Sequence, residues 1–337
     1  MRGLFPNILA GIIFMAAVAA GVIFFVIPSA NFWKIVLGRY LAPYDVKVES
    51  VAFDRWRYRQ YPLDFVHGLR LELVRQGKPW KLRASGLQVR TGSRGEFSLF
   101  VRGLEFNDGA HRCSDGDLRF NQTGARGWNS QFSARQCVSQ GFVFTDILAG
   151  AQGDKDVFAL PGVRAGFYGG RVAGNFRLDK QEPFSYIINI SLENVNLVQM
   201  ASVNEAVFGQ VSGSLQGELS VRGRGGRLDG IDGRFNIPQD GAVRAFLLKN
   251  LVDYLPARSQ RAEFDKLVAI GGMVPLDRAE ARVKSIDERS LSLGFDLESR
   301  RYNIRPQVTV DINFDGNYQD LFRFFKSFSF KEPADAQ

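Results

Sequence analysis

Histidine and cysteine are scarce in this chain, with two of each in 337 residues, and there are only four methionines. His67 and His111 stand in no metal-ligand spacing, and Cys113 and Cys137 form no CxxC pair, so a zinc site lacks its ligands. No nucleophile elbow occurs. The pairs Asp115 with Asp117 and Asp154 with Asp156 read as solvated turn residues, not calcium ligands. The glycine-rich stretch Gly223–Gly230 joins two strands and opens no helix, which makes it a tight turn and not a phosphate loop. The sequence therefore points to no enzyme and no cofactor.

Runs of one charge are also missing. The formal net charge is +8 and the pI about 9.6, yet no four basic residues stand together. In Leu69–Arg75 and Trp80–Arg90 the charges alternate with apolar residues, as on the wet face of a sheet. No nucleic-acid signature accompanies them, and no nucleic-acid partner is expected.

Glycine (35) and phenylalanine (29) are abundant, a composition of many turns and of aromatics on an apolar face. One long apolar run is present. Ile8 to Ile27 carries no charge over twenty residues, enough at 1.5 Å per residue to cross a hydrocarbon core of ~30 Å. Pro28 ends it, and Trp33, Lys34, Arg39 and Tyr40 follow as at a headgroup boundary. Residues 1–30 are read as a transmembrane anchor. The flanking charges leave its orientation open, since Arg2 lies on one side and Lys34, Arg39 and Lys47 on the other.

Beyond Tyr44 the pattern has period two. Leu69, Leu71 and Leu73 alternate with Arg70 and Glu72, and Tyr186, Ile188, Ile190 and Leu192 repeat the motif. Val211, Gly213, Leu215, Gly217, Leu219 and Val221 alternate with Ser212, Ser214, Gln216, Glu218 and Ser220. Leu291 to Leu297 and Val308 to Phe314 close the series. Strands this closely spaced leave no room for βαβ crossovers, so the expected fold is mainly β. It is an N-terminal transmembrane helix followed by a long, curved, mostly antiparallel sheet with a few short helices. Helix is expected in an extension of the anchor to about Leu41, near Val198–Ser202, over Val243–Leu255 and over Asn317–Phe328. In the last of these Leu321, Phe324, Phe325 and Phe328 fall at i, i+3, i+4 and i+7, an aromatic stripe expected to cap the sheet edge.

From about Pro161 the order of elements is recognisable. Gly166–Asp179 is a glycine-turned hairpin, and Tyr186–Met200 a strand running into a short turn marked by Val195, Asn196 and Leu197. Gly209–Ile237 is a Gly-spaced strand, a glycine turn and a second strand, and Val308–Phe322 forms a final motif. This half of the chain resembles the C-terminal module of the AsmA-like superfamily of bacterial envelope proteins, particularly its YdbH-like branch. The resemblance divides the body into an N-terminal β region (31–160) and an AsmA-like module (161–337). It implies an inner-membrane, single-pass protein with a cytoplasmic N-terminus and a periplasmic body. Its curled sheet would hold the acyl chains of phospholipid or other lipid in a groove and move them between the membranes. About twenty strands ~4.8 Å apart extend only on the order of 100 Å, so a protein partner is expected to extend the open sheet edge. The candidate groove residues are Val211, Leu215, Leu219, Leu293, Phe295, Leu297, Val308, Val310 and Ile312. An oxidising compartment would also let Cys113 and Cys137, 24 residues apart on alternating strands, form a disulfide. The competing reading is a structural or assembly component of an envelope or secretion machine that binds protein instead of lipid.

Overall fold

The structure, a computed structural model, describes residues 29–42, 45–59, 63–75, 77–91, 96–123, 127–203, 210–225, 227–245, 259–287, 290–303, 305 and 307–313. The expected transmembrane helix over Ile8–Ile27 and the expected C-terminal helix with Leu321, Phe324, Phe325 and Phe328 lie outside the described residues. Among the described residues no helix is long and apolar enough to cross a membrane. The fold is mainly β and antiparallel. The chain divides into two compact units, Met1–Gly124 and Ala125–Gln337. The division expected at 160/161 falls inside a strand of the second unit, Val157–Phe167.

The amino-terminal unit begins with helix α1 (Ala30–Leu41). Strands β1 (Val46–Ala52), β2 (Arg55–Arg59), β3 (Leu63–Arg75), β4 (Lys78–Thr91), β5 (Phe97–Asn107) and β6 (His111–Thr123) follow. β3 to β6 form an antiparallel meander, and β1 and β2 both pair with the free side of β3. The alternation read in the sequence is the alternation of burial. Leu69, Leu71 and Leu73 are half-buried while Arg70 and Glu72 are exposed. Val48, Val51, Val66, Ala84 and Val101 are the buried hydrophobic positions among the described strand residues of this unit.

The carboxy-terminal unit continues with β7 (Gly127–Ser139), β8 (Phe142–Gly153), β9 (Val157–Phe167), β10 (Gly170–Asp179) and β11 (Ser185–Asn196). Helix α2 (Leu197–Met200), β12 (Val211–Ser212), β13 (Ser214–Arg224), β14 (Arg227–Ile237) and β15 (Gly241–Arg244) come next. Helix α3 (Ser259–Ile270), β16 (Met273–Leu276), β17 (Arg278–Asp287), β18 (Ser290–Glu298) and β19 (Gln307–Asn313) complete it. Ten of these strands form one antiparallel sheet in the order β7-β8-β9-β10-β11-β13-β14-β17-β18-β19, and β12, β15 and β16 form a small second sheet.

Two hairpins show why the meander is so tight. Gln140 and Gly141 have φ of 50° and 90°, and Tyr168 and Gly169 have 46° and 76°. Positive φ at both central residues is the type I′ turn, whose twist matches that of the flanking strands. The short helix α2 starts where Asn196 accepts a hydrogen bond from the Gln199 N–H at 3.2 Å, and this is the turn expected near Val198–Ser202. Over Val243–Leu255 the outcome differs. Val243 and Arg244 belong to β15, held by Val211 and Val274 across the small sheet, and residues 246–258 lie outside the described ones. Helix α3 was not anticipated, because Ser259–Ile270 is too polar to show an apolar stripe.

Candidate functional site: an apolar sheet face in the carboxy-terminal unit

In an antiparallel sheet, residues directly opposite one another point to the same face. Tracing register across the ten-stranded sheet gives one row: Phe132, Ala149, Val163, Gly174, Ile190, Leu219, Gly233, Val283 and Leu293. By register the row reaches Val310 on β19. Every position is apolar or glycine. A second row on the same face runs Val172, Leu192, Gly217, Phe235, Ala281 and Phe295, opposite Val308 by register. The neighbouring row on the opposite face is Ser133, Leu148, Arg164, Ala173, Ser191, Glu218, Arg234 and Arg282. The sheet is thus amphipathic across its width, apolar on one side and mostly polar on the other.

Burial along the apolar face is uneven, and the unevenness locates the site. At one end Phe167, Val195, Leu197, Met200 and Ile237 form a buried cluster on which Val211 and Leu215 pack. Here α2 and β12 cover the face, and Val195 is wholly excluded from solvent. Along the middle row the side chains of Phe132, Val163, Leu219, Val283 and Leu293 are only half-buried, and Ile190 is 37% exposed.

The sequence-derived candidates separate accordingly. Leu219 and Leu293 share the half-buried row, and Phe295 lies in the row beside it. Val211 and Leu215 belong to the covered end, and Leu297 is buried at 8% exposure. Val308, Val310 and Ile312 are aligned by backbone pairing with Phe295, Leu293 and Leu291. Val211 also departs from the expected continuous strand, because Gly213 at φ 122° breaks the run and places β12 in the small sheet. Val163, Ile190 and Val283 were missed as site residues. The alternation of Ile188, Ile190 and Leu192 marked Ile190 as facing one side, and only register shows that it is the side of Leu219.

The polar face carries its own organised group. The Glu280 side chain is 1% exposed and sits between Arg278 and Arg282, two residues either side on β17, with Arg234, the register partner of Arg282, reaching it from β14. Arg278 Nη2 donates to Oε2 at 2.6 Å, Arg234 Nη2 to Oε2 at 3.0 Å, and Arg282 Nε donates to Oε1. Chiefly the Arg282 hydrogen bond, and then those from Arg234 and Arg278, outweigh burial and hold this carboxyl at a pKa of about 2, against 4.5 ordinarily. A depressed carboxylate pKa stabilises the fold above the ordinary value, and that stability is lost as pH falls through the folded value. Glu280→Gln should therefore be less stable than wild type at neutral pH by about 2 kcal/mol, a figure discounted for the half-exposed guanidiniums. Urea titrations should show the gap shrinking from pH 4.5 towards about pH 2; a gap independent of pH would refute the assignment.

A depression of about 640 Å³ also lies on this sheet, and Arg164, Glu218, Arg222, Asp232 and Arg234 line it. Its charged lining comes from adjacent rows of the polar face, and Val163, Ile190 and Leu219 of the middle row also border it. Asp154 and Asp156 are turn residues as expected, whereas Asp115 and Asp117 lie within β6 and His67 within β3. Asp154 Oδ1 accepts from the N–H groups of Asp156 and Val157 at 2.8 and 2.7 Å, which holds its carboxyl below the usual range. Asp117 Oδ1 accepts from the Gly103 N–H. The His111 ring lies against Asp108 on the β5–β6 turn. Cys113 lies on β6 and Cys137 on β7, and neither thiol is free.

No family model, curated protein or solved structure matches the chain. The functional reading rests on the residues alone.

Proposed function

We propose that this protein is anchored in a bacterial inner membrane by residues 8–27, with its N-terminus cytoplasmic and its body in the periplasm. There the apolar face of the carboxy-terminal sheet carries lipid acyl chains between the inner and outer membranes. The observation that supports this reading is the half-buried middle row from Phe132 to Leu293, an apolar track crossing strand after strand. An ordinary sandwich core would bury such a row. An acyl chain laid on it would remove water from both partners, at about 0.8 kcal/mol per buried CH₂. The apolar strip offers no directional polar contacts, so it suits chains of lipid better than a sequence-specific peptide. A protein partner would continue the track by adding strands to a sheet edge.

The test places a photo-reactive residue at Leu219 in the full-length protein within its native membranes. Lipid adducts are expected there. Leu219→Asp should lower the amount of lipid that copurifies while leaving proteolytic resistance intact, since a half-exposed aspartate keeps much of its hydration. Absence of any lipid adduct at position 219 in folded protein would overturn the proposal.

A further inference from the structure

We infer that the amino-terminal unit holds a lipid acyl chain in an apolar trough of its own, folded along a crease that crosses β3, β4, β5 and β6. This rests on the reading of residues 8–27 as a membrane anchor and of the body as a lipid carrier.

The crease shows in the backbone. Side chains of a strand alternate between faces, so a change of the sheltered positions from even to odd numbers needs a break in the strand. On β3 the sheltered residues change from Val66 to Leu69, Leu71 and Leu73, and Gly68 between them has φ 64°. On β5 they change from Leu99 and Val101 to Leu104 and Phe106 across Gly103, at φ 57°, and on β6 Asp115 has φ 51°. β4 makes the same change between Ala84 and Leu87, where Ser85 pairs with neither Gly68 nor Gly103. A residue left outside the pairing bends its strand and resumes the alternation one position out of step, so the apolar residues stay on one side. The other side of the crease is polar. Ser85 Oγ donates to the Arg102 carbonyl at 3.0 Å, the Gly103 N–H donates to Asp117 Oδ1 at 3.2 Å, and Arg70 donates to Asp54.

Burial gives the apolar side its shape. Val66, Ala84 and Val101, beside the crease, are buried. Farther out, Leu71, Leu82 and Phe106 on one wall and Leu99 and Phe120 on the other are only half-buried. A sheet that buries its apolar residues at the crease and leaves both walls half open is folded towards them. Register carries the first wall from strand to strand, through Val51, Leu71, Leu82 and Phe106. No charged residue stands in that row.

The neighbourhood of β1 names the occupant. Only Pro28 and Ser29 separate the uncharged run ending at Ile27 from Ala30, so at ~3.5 Å per residue α1 starts within ~10 Å of the end of that run. Helix α1 carries Lys34 and Arg39 and no acidic residue, and it exposes Ile35 and Val36 while Leu37 and Leu41 are half-buried. Two aliphatic side chains among cations suit a helix lying in the headgroup layer of an anionic membrane. Helix α1 lies against β1, and the row starts on β1, at Val51. The apolar group that a bilayer supplies there is an acyl chain. An extended peptide laid in the row would leave its backbone groups unpaired, whereas an acyl chain has none to satisfy.

The experiment uses the full-length protein in its native membranes. Benzoylphenylalanine replaces Leu82, or Leu71 on the neighbouring strand as a second wall position, or the exposed Arg83 as the control on the polar face. Lipid adducts are expected at positions 82 and 71 and not at 83. A lipid adduct at Leu219 with none at 82 or 71 overturns the trough and leaves the carrier reading standing. No lipid adduct at any of these positions overturns both. Lipid at 82 and 71 with none at 219 supports the trough and overturns the carboxy-terminal track. Equal yields at 82 and 83 overturn the trough, because they show only general contact with the bilayer surface. An adduct at 82 and 71 to protein in place of lipid, from this chain or a second copy, also overturns it.

Discussion

Gly170→Val is expected to unfold the carboxy-terminal unit. A Cβ at position 170 would lie 2.3 Å from the Glu193 carbonyl oxygen and 2.5 Å from both the carbonyl carbon and oxygen of Asn194. All three are backbone atoms, so no rotamer change relieves the contact. Nor is the backbone of β11 free to retreat. Its register with β13 shifts between Leu192 and Val195, and Asn194 holds a φ of 54° within that bulge. The bulge turns Val195 into the buried cluster. Pushing it away would separate β10 from β11 and unseat the cluster together, a cost of about 3 kcal/mol or more. Gly162→Val is the matched control, because a Cβ there meets nothing within 4 Å. Thermal unfolding followed by circular dichroism should show a large loss for Gly170→Val and a change within about 0.5 kcal/mol for Gly162→Val. Equal melting of the two variants would show that the close approach of β10 to β11 is absent in solution.

Val195→Asp is the second large effect expected. Val195 has no solvent exposure and packs with Leu197, Met200, Ile237 and Phe167. No described cation reaches into that cluster, so the carboxylate would be buried unpaired or forced to protonate, at about 4 kcal/mol or more. Limited proteolysis should then cut the variant throughout the unit. Leu219→Asp, only four strand residues from Leu215 at the same cluster's edge, should stay resistant. The pair separates a packed core from an open apolar face on a single sheet. If both variants are degraded alike, the middle row is buried in solution and the carrier reading loses its basis.

How much of this was legible in the sequence follows from what period-two alternation encodes. It reports that Leu215, Leu219, Leu293 and Phe295 each turn to one side of a strand, and the structure keeps that alternation. It does not report which residues of different strands lie opposite one another, because register is set by turns and bulges. Leu219 meets Ile190 only because the β11 bulge shifts the pairing. Burial is likewise invisible locally. Val211 and Leu219 look alike in sequence, yet Gly213 turns the chain and sends Val211 to the covered end. The Glu280 cluster was missed for a related reason. Arg278, Glu280 and Arg282 read as a charged strand face, and Arg234, 46 residues away, is brought to them by pairing alone.

The order of strands in the carboxy-terminal sheet bears on how it is made. From β7 to β11 every strand pairs with the one made just before it, and β13 to β14, then β17 to β19, continue outward in the same sense. No strand waits for a partner at the far end of the chain. Loop closure is thus paid in short steps, which favours fast folding for a β protein. The growing edge can accept each new hairpin as the polypeptide emerges, so assembly can keep pace with synthesis or with passage through a membrane pore. The exception is the insertion between β14 and β17, where β12 must hold its place until β15 and β16 arrive to complete the small sheet. A pause there would leave β12 without its partner strands, making residues 238–277 the stretch whose delay exposes the nascent sheet to chaperones or to aggregation.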